Sequence, residues 1–302
     1  MTVAFLILAH SNAGQLRRLV DRLSGPGAAT FVHLDRKAER APFVDALASS
    51  TALLLPEQES LRTFWGGASL VRATLKMLQL ALADPDVDRL CLLSGACYPA
   101  RPLASILASL EPSGQQHLYI AHRFSPGSTT GIDRFYAYRH RSDSRLFNHR
   151  TGIKPLRVAF SLVSNLVPRT YLPDFPIYHG STWWALDRRA AEYVIDFAGR
   201  RPDILRWFDG AMLVEEAFFG SVLRNSPFAS EIVCDYVAGV PLGANPNRHG
   251  VHYVDWSQST DASPKVLTID DLEPVIRSDA LFVRKVDPQL SASLMDALDG
   301  QG

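Results

Sequence analysis

The feature that most constrains this chain is its opening alternation of strand and helix. Residues 3–9 form an uninterrupted apolar run, as a parallel strand buried on both faces would. A polar turn at 10–14 leads into 15–23, where Leu16, Leu19, Val20 and Leu23 recur at helical spacing. A second apolar run at 31–34 ends on Asp35, Arg36 and Lys37. Such a β-α-β unit specifies an α/β fold with a Rossmann-like, mostly parallel central sheet flanked by helices. The alternation continues with an amphipathic helix at 68–83, a strand at 89–94 followed by Gly95, a helix at 103–110 and a short strand at 117–121. Open α/β sheets bind ligands beyond the carboxyl ends of their strands. His10, Asp35 and the Ser94–Gly95 turn are therefore expected to line one crevice.

Farther on, the pattern predicts a strand over 178–185, a helix over 188–197 and a helix over 215–224 whose first turn carries Glu215 and Glu216. Beyond Pro227 the chain reads as loop-rich, with short strands near 231–236 and 251–256 and a frayed end at 299–302. The whole is expected to be one domain over 1–302, with an insertion at about 123–172 and a loop-rich C-terminal part at about 228–302. The insertion is basic and aromatic: Arg134, Arg139, Arg141, Arg145, Arg150, Lys154, Arg157 and Arg169 face only Asp133 and Asp143. It reads either as a solvated loop with a helix, or as a surface for an anionic acceptor or for membrane phospholipid.

Hydrophobic residues make up 47% and charged residues 21% of the 302, with a formal net charge of zero. That balance is ordinary for a globular protein, and it argues against nucleic acid as a partner. Cys91, Cys97 and Cys234 have neither metal-ligand spacing nor an even count, so they read as plain thiols of a reducing compartment. No stretch approaches the roughly 20 apolar residues of a membrane span. A cytoplasmic protein is expected, with peripheral contact to the inner face of the membrane as an option.

Six segments carry a resemblance: FVHLDRK (31–37), FWGGASL (64–70), LLSGACYP (92–99), GSTWW (180–184), EEAFF running to NSP (215–227), and LFVRKVD (281–287). In this order they resemble the core-2/I-branching N-acetylglucosaminyltransferases and the peptide O-xylosyltransferases, over about residues 5–287. The resemblance implies a GT-A fold and an inverting transfer of GlcNAc or xylose from a UDP-sugar to a sugar hydroxyl of a glycan, without a metal. The acceptor would be a growing glycan, with a lipid-linked one as an option. The residues agree on the metal. Asp84-Pro85-Asp86 and Asp86-Val87-Asp88 fall in a helix-to-strand loop at the wrong end of the sheet, where acids are simply solvated.

By the same resemblance, Glu216 is the catalytic base, set in the apolar context of Ala217, Phe218 and Phe219 that raises a carboxyl pKa. Its alternative is an acid complementing a helix N-terminus, a role that suits Glu215 better. Arg284 and Lys285 match a dibasic pair on the diphosphate, and Ser263 a phosphate-contacting serine. Asp35 and Lys37 match uridine-binding residues, against the alternative of an acid at a strand-to-loop junction. Trp65 reads as a wall by the nucleotide or sugar, or as a core aromatic; His10 reads as crevice lining or as structural. Tyr98, Arg101, Thr182, Trp183, Glu215, Arg248 and His252 are further candidates for acceptor or sugar contacts. Two of them depart from the family: Thr182 stands where the xylosyltransferases have Asp, and His252 roughly where the branching enzymes have Arg. A nucleotidyltransferase lacks support because no GxxxxGK loop is present, and a non-catalytic nucleotide-sugar or glycan-binding module is the remaining alternative.

Overall fold

A computed structural model describes residues 1–111, 113–240, 244–258 and 263–301. Its strands are β1 (Thr2–Ala9), β2 (Ala28–Leu34), β3 (Leu53–Leu54), β4 (Val87–Ser94), β5 (Cys97–Pro99), β6 (Gln116–Arg123), β7 (Tyr178–Gly180), β8 (Ala185–Asp187), β9 (Ile232–Asp235), β10 (Arg248–His249), β11 (His252–Val254) and β12 (Phe282–Arg284). The central sheet runs β3-β2-β1-β4-β8-β6-β7, with β9 beside β6. From β3 to β4 every pairing is parallel, which is the predicted Rossmann-like half. Antiparallel β8 and β6 extend it.

The apolar run of β1 explains why this sheet is buried on both sides. Ala4, Leu6 and Leu8 pack into one core cluster, shared with the helices Ala68–Leu82 and Arg188–Arg200. Val3, Phe5, Ile7 and Ala9 point the other way, into a cluster shared with the helices Ala13–Arg22 and Leu103–Ser109. Alternation along a strand sends successive side chains to opposite faces, and both faces here are covered by helices. The fold class is the one read from the sequence.

A second sheet, β10-β11-β12-β5, stands beyond the carboxyl end of the first. It has its own core, in which Tyr98 and Val283 meet Leu294, Met295 and Leu298 of the helix Ala292–Asp299. Three expectations fail here. Tyr98 is fully buried, and its hydroxyl donates to Asp299 Oδ1 at 2.6 Å and accepts from Arg18 Nε at 2.9 Å. It fastens the last helix to the first rather than facing an acceptor. Asp299, expected to fray, is held by Tyr98, Arg18 and Arg22. Arg101 likewise turns to Ile276 O and Asp279.

Two further predicted elements divide. The strand expected at 178–185 is the pair β7 and β8, separated by Ser181–Trp184, because β7 pairs with the far part of β6 while β8 crosses to β4. The helix expected at 215–224 is a single 3-10 turn, Val214–Glu216, followed by the helix Phe218–Arg224. The 123–172 segment holds two helices, Arg134–Ala137 and Lys154–Ser164. Among the described residues no helix is long and apolar enough to cross a membrane. Replacing Tyr98 by Phe removes a buried hydroxyl with two charged partners, and should lower unfolding free energy by about 1–3 kcal/mol; urea titration of the two proteins reads the difference.

Candidate active site

The carboxyl ends of the parallel strands meet as expected. Asp35 N–H donates to Ala9 O at 2.8 Å, and Gly95 N–H donates to Leu8 O at 3.0 Å. His10, Asp35 and Ser94 therefore sit side by side. Asp35 is tightly held: its carboxylate accepts from Lys37 N–H at 2.9 Å and from the Thr63 hydroxyl at 2.7 Å, and pairs with Lys37 Nζ at 3.0 Å. Burial works against its charge, but these donors outweigh it and keep the carboxyl below its ordinary range. Lys37 also bonds Thr63 O and lies 4.1 Å over the Phe64 ring. This wall thus presents a fixed anion and cation side by side.

The second sheet supplies the opposite wall. Antiparallel pairing sets Arg284 across from Cys97, so its guanidinium reaches the Ser94 hydroxyl and stacks 4.4 Å over Trp183. The peptide bond between Arg284 and Lys285 is cis. The proton affinity of Lys285 is lowered by burial and by the charges of Arg284 and Arg150, against the pull of Asp287. His10 is lowered too, chiefly by burial, with Lys37, Lys285 and Arg284 adding and Asp35 opposing. These mutual effects place His10, Asp35, Lys37, Arg284 and Lys285 in one electrostatic neighbourhood.

Arg150 closes the third side, and sequence patterning did not single it out from the other insertion cations. Its guanidinium lies 4.5 Å over the Trp65 ring and donates to the Ser263 hydroxyl at 2.8 Å. Trp65 is thereby placed at the rim, where its backbone carbonyl also accepts from Asn148 Nδ2 at 2.9 Å. Ser263, Trp65 and the dibasic pair, far apart in sequence, share this corner.

Glu215 and Glu216 stand at its floor. Leu213 before them takes a left-handed φ of 56°, and Gly66 opposite takes 76°. Those conformations let two turns clasp: Val214 N–H donates to Gly66 O at 3.3 Å, and Gly66 N–H donates to Glu215 Oε1 at 3.0 Å. Positive φ costs a leucine about 1–2 kcal/mol, and here it aims the next two side chains. Glu215 is buried in this clasp, and neither carboxylate makes a capping hydrogen bond to the helix Phe218–Arg224. Glu216 faces His179 Nε2 at 3.5 Å, and His179 Nδ1 lies 2.8 Å from the Tyr136 hydroxyl. Burial pushes His179 down to about 4, so its imidazole is neutral. His179 and Tyr136 were missed because a three-residue strand and a four-residue helix are too short to carry a periodic signal. Burial raises the Glu216 carboxyl well above its ordinary range, and the charge of Glu215 adds to the rise. Arg284 and Arg150 act against it.

Two other candidates, His252 and Arg101, do not join. His252 is fully buried between Trp183 and Phe282, with neither ring nitrogen hydrogen-bonded. Burial and Arg284 keep it neutral; it packs the crevice wall from behind. Thr182 is buried, and Arg248 Nε bonds Gly250 O at 3.3 Å. Arg101 is fastened elsewhere, as described above. Asp84 and Asp86 lie before β4, where Thr2 N–H bonds Asp86 O at 3.1 Å. That is the amino end of the sheet, away from the crevice.

The family model for the "Core-2/I-Branching enzyme" matches residues 3–276. Among curated proteins, xylosyltransferase 2 of the dog is 25% identical over 319 residues, covering 98% of this chain and 33% of its own length. Human xylosyltransferase 2 is 26% identical with the same coverage, and human xylosyltransferase 1 is 24% identical, with 98% and 30% covered. The chain thus spans about a third of the length of the curated relatives it matches. Among solved structures, the bifunctional glycosyltransferase WbbM in its apo form aligns over 95% of this chain and 46% of its own, with a TM-score of 0.42 and 11% identity.

The geometry predicts opposite shifts for two neighbours of Glu216. Removing a nearby negative charge eases proton loss, so Glu215→Gln should move the Glu216 titration midpoint to lower pH. Removing a nearby positive charge does the reverse, so Arg284→Gln should move it higher. Carbon-13 carboxyl titration by NMR reads both; shifts of the same sign would separate Glu216 from this charge cluster.

Proposed function

We propose that this chain, which belongs to the Core-2/I-Branching enzyme family, transfers GlcNAc or xylose from a UDP-sugar to a hydroxyl of a glycan acceptor. The observation that carries this reading is the placement of a partly buried carboxyl, Glu216, 3.5 Å from His179 and within the field of a cationic corner made by Arg284, Lys285 and Arg150. A transferase of this kind needs both, because a proton must leave the acceptor while negative charge grows on the departing diphosphate.

In the proposed step the acceptor oxygen attacks the anomeric carbon from the side opposite the diphosphate. The new glycosidic bond forms as the bond from that carbon to the phosphate oxygen breaks, and the electron pair leaves with UDP. Glu216 takes the hydroxyl proton, and the configuration inverts. Neutral His179, held by Tyr136, orients the carboxylate. Arg284 and Lys285 neutralise the diphosphate in the place a divalent metal would take, with Arg150 and Ser263 beside them. Asp35 and Lys37 receive the uracil and its neighbouring polar groups, since a carboxylate accepts from an imide N–H. Trp65 and Trp183, each already carrying an arginine on its face, wall the sugar.

Glu216→Gln should lower turnover by roughly 10²–10⁴, the usual contribution of a positioned base, while UDP still binds. UDP release measured with acceptor present should also survive excess EDTA. Full loss of turnover on chelation would overturn the metal-free part of this reading. Unchanged turnover in Glu216→Gln would overturn the role of the base.

A further inference from the structure

The helix Lys154–Ser164 is built inside out. Its body-facing side is polar or aromatic: Ser164 is buried, and its hydroxyl exchanges hydrogen bonds with Arg139 N and O at 3.0 and 2.8 Å, while Phe160 packs on Phe147 at 5.4 Å. The apolar residues lie on the other side. Val158 and Leu162 follow one another at four-residue spacing beside Val163, and Leu166 and Val167 continue the apolar run in the turn just past the helix end. Leu162 is 67% exposed, Val163 68%, Leu166 79% and Val167 69%. A helix that turns its apolar arc away from the core has something apolar to meet, since exposed patches of this kind mark interaction surfaces.

Charge says what that is. Between Ser144 and Pro173 the sequence holds Arg145, Arg150, Lys154, Arg157 and Arg169 and no acidic residue. Where this segment ends, a cavity of about 120 Å³ is lined by Arg139, Arg169, Arg206, Thr170, Trp207 and Gly210. Among the described residues no carboxylate pairs with any of these three arginines. Arg169 is fixed by the carbonyls of Tyr136 and Trp207 and lies 3.9 Å over the Trp207 ring. Its proton affinity is lowered by burial and by Arg139, the mark of cations gathered without a counter-ion. The hydrogen bonds from Ser164 to Arg139 join this cavity to the exposed helix.

We propose that this face docks on an anionic phospholipid bilayer: the apolar arc enters the boundary between headgroups and acyl chains, and the three-arginine cavity seats a headgroup phosphate. Basic interfacial helices bind membranes by this combination of apolar area and anionic attraction. Arg150 and Tyr136, of the same segment, reach the crevice, so docking brings the crevice to an acceptor held on the membrane. The docking itself does not depend on the transfer chemistry.

Flotation of the purified protein with vesicles tests it. The protein should float with phosphatidylcholine vesicles containing phosphatidylglycerol, much less with phosphatidylcholine alone, and less in high salt. The double variant Val163→Asp/Leu166→Asp should lose binding to both, with its circular dichroism and its turnover on a soluble acceptor kept. Arg139→Gln/Arg206→Gln should weaken binding to the anionic vesicles about thirtyfold, at about 1 kcal/mol per cation, and leave the weak binding to neutral ones. Equal binding to neutral and anionic vesicles, or unaltered binding by the aspartate variant, overturns the proposal. So does a dimer in sedimentation equilibrium that the aspartate variant dissociates, since a second copy would then cover the arc.

Discussion

A partly buried carboxyl group beside a cluster of cations is the constraint around which this molecule is arranged. Burial raises the proton affinity of the Glu216 carboxyl and Glu215 adds to the rise, while Arg284 and Arg150 oppose it. The balance requires three remote parts of the chain to arrive together. The clasp between Gly66 and Leu213–Glu215 sets the carboxylates. The pairing of β12 with β5 sets Arg284. The insertion sets Arg150. None of these contacts is supplied by the central sheet itself, whose role is to hold the loops at its carboxyl edge in register.

How much of this was legible follows from what a sequence encodes locally. The apolar run of β1 and the helical spacing after it name a parallel sheet, and the sheet rule then places His10, Asp35 and Ser94 together without further information. Arg284, Lys285 and Glu216 were named through resemblance, and the structure brings them into one crevice. Tyr98 and Arg101 stand in a motif-bearing stretch, yet their direction is decided by a helix some 200 residues later, at Asp299, and by the carbonyl of Ile276. Side-chain direction of that kind has no periodic signature. The same holds for Tyr136, His179 and Arg150, which belong to loops or to very short elements. The predicted single strand at 178–185 was wrong for a related reason: its continuous composition hides a change of partner between β7 and β8.

The 123–172 segment has two faces with different chemistry. Inward, Tyr136 fixes His179 and Arg150 reaches the cationic corner. Outward, leucines and valines stand exposed beside the cavity lined by Arg139, Arg169 and Arg206. The basic character visible in the sequence was therefore not one feature but two. This division explains why composition alone left the segment between solvated loop and binding surface.

The account ties the base to the clamp through charge, so binding an anion at the clamp should be felt at Glu216. Calorimetric titration of UDP, at a pH where UDP is fully ionised and in two buffers of different ionisation enthalpy, counts the protons exchanged. Filling the cationic corner with a diphosphate cancels the field that holds Glu216 down, so UDP binding should take up protons, and the uptake should shrink in Glu216→Gln. Binding without proton uptake, or the same uptake in Glu216→Gln, would contradict the coupling on which the proposed mechanism rests.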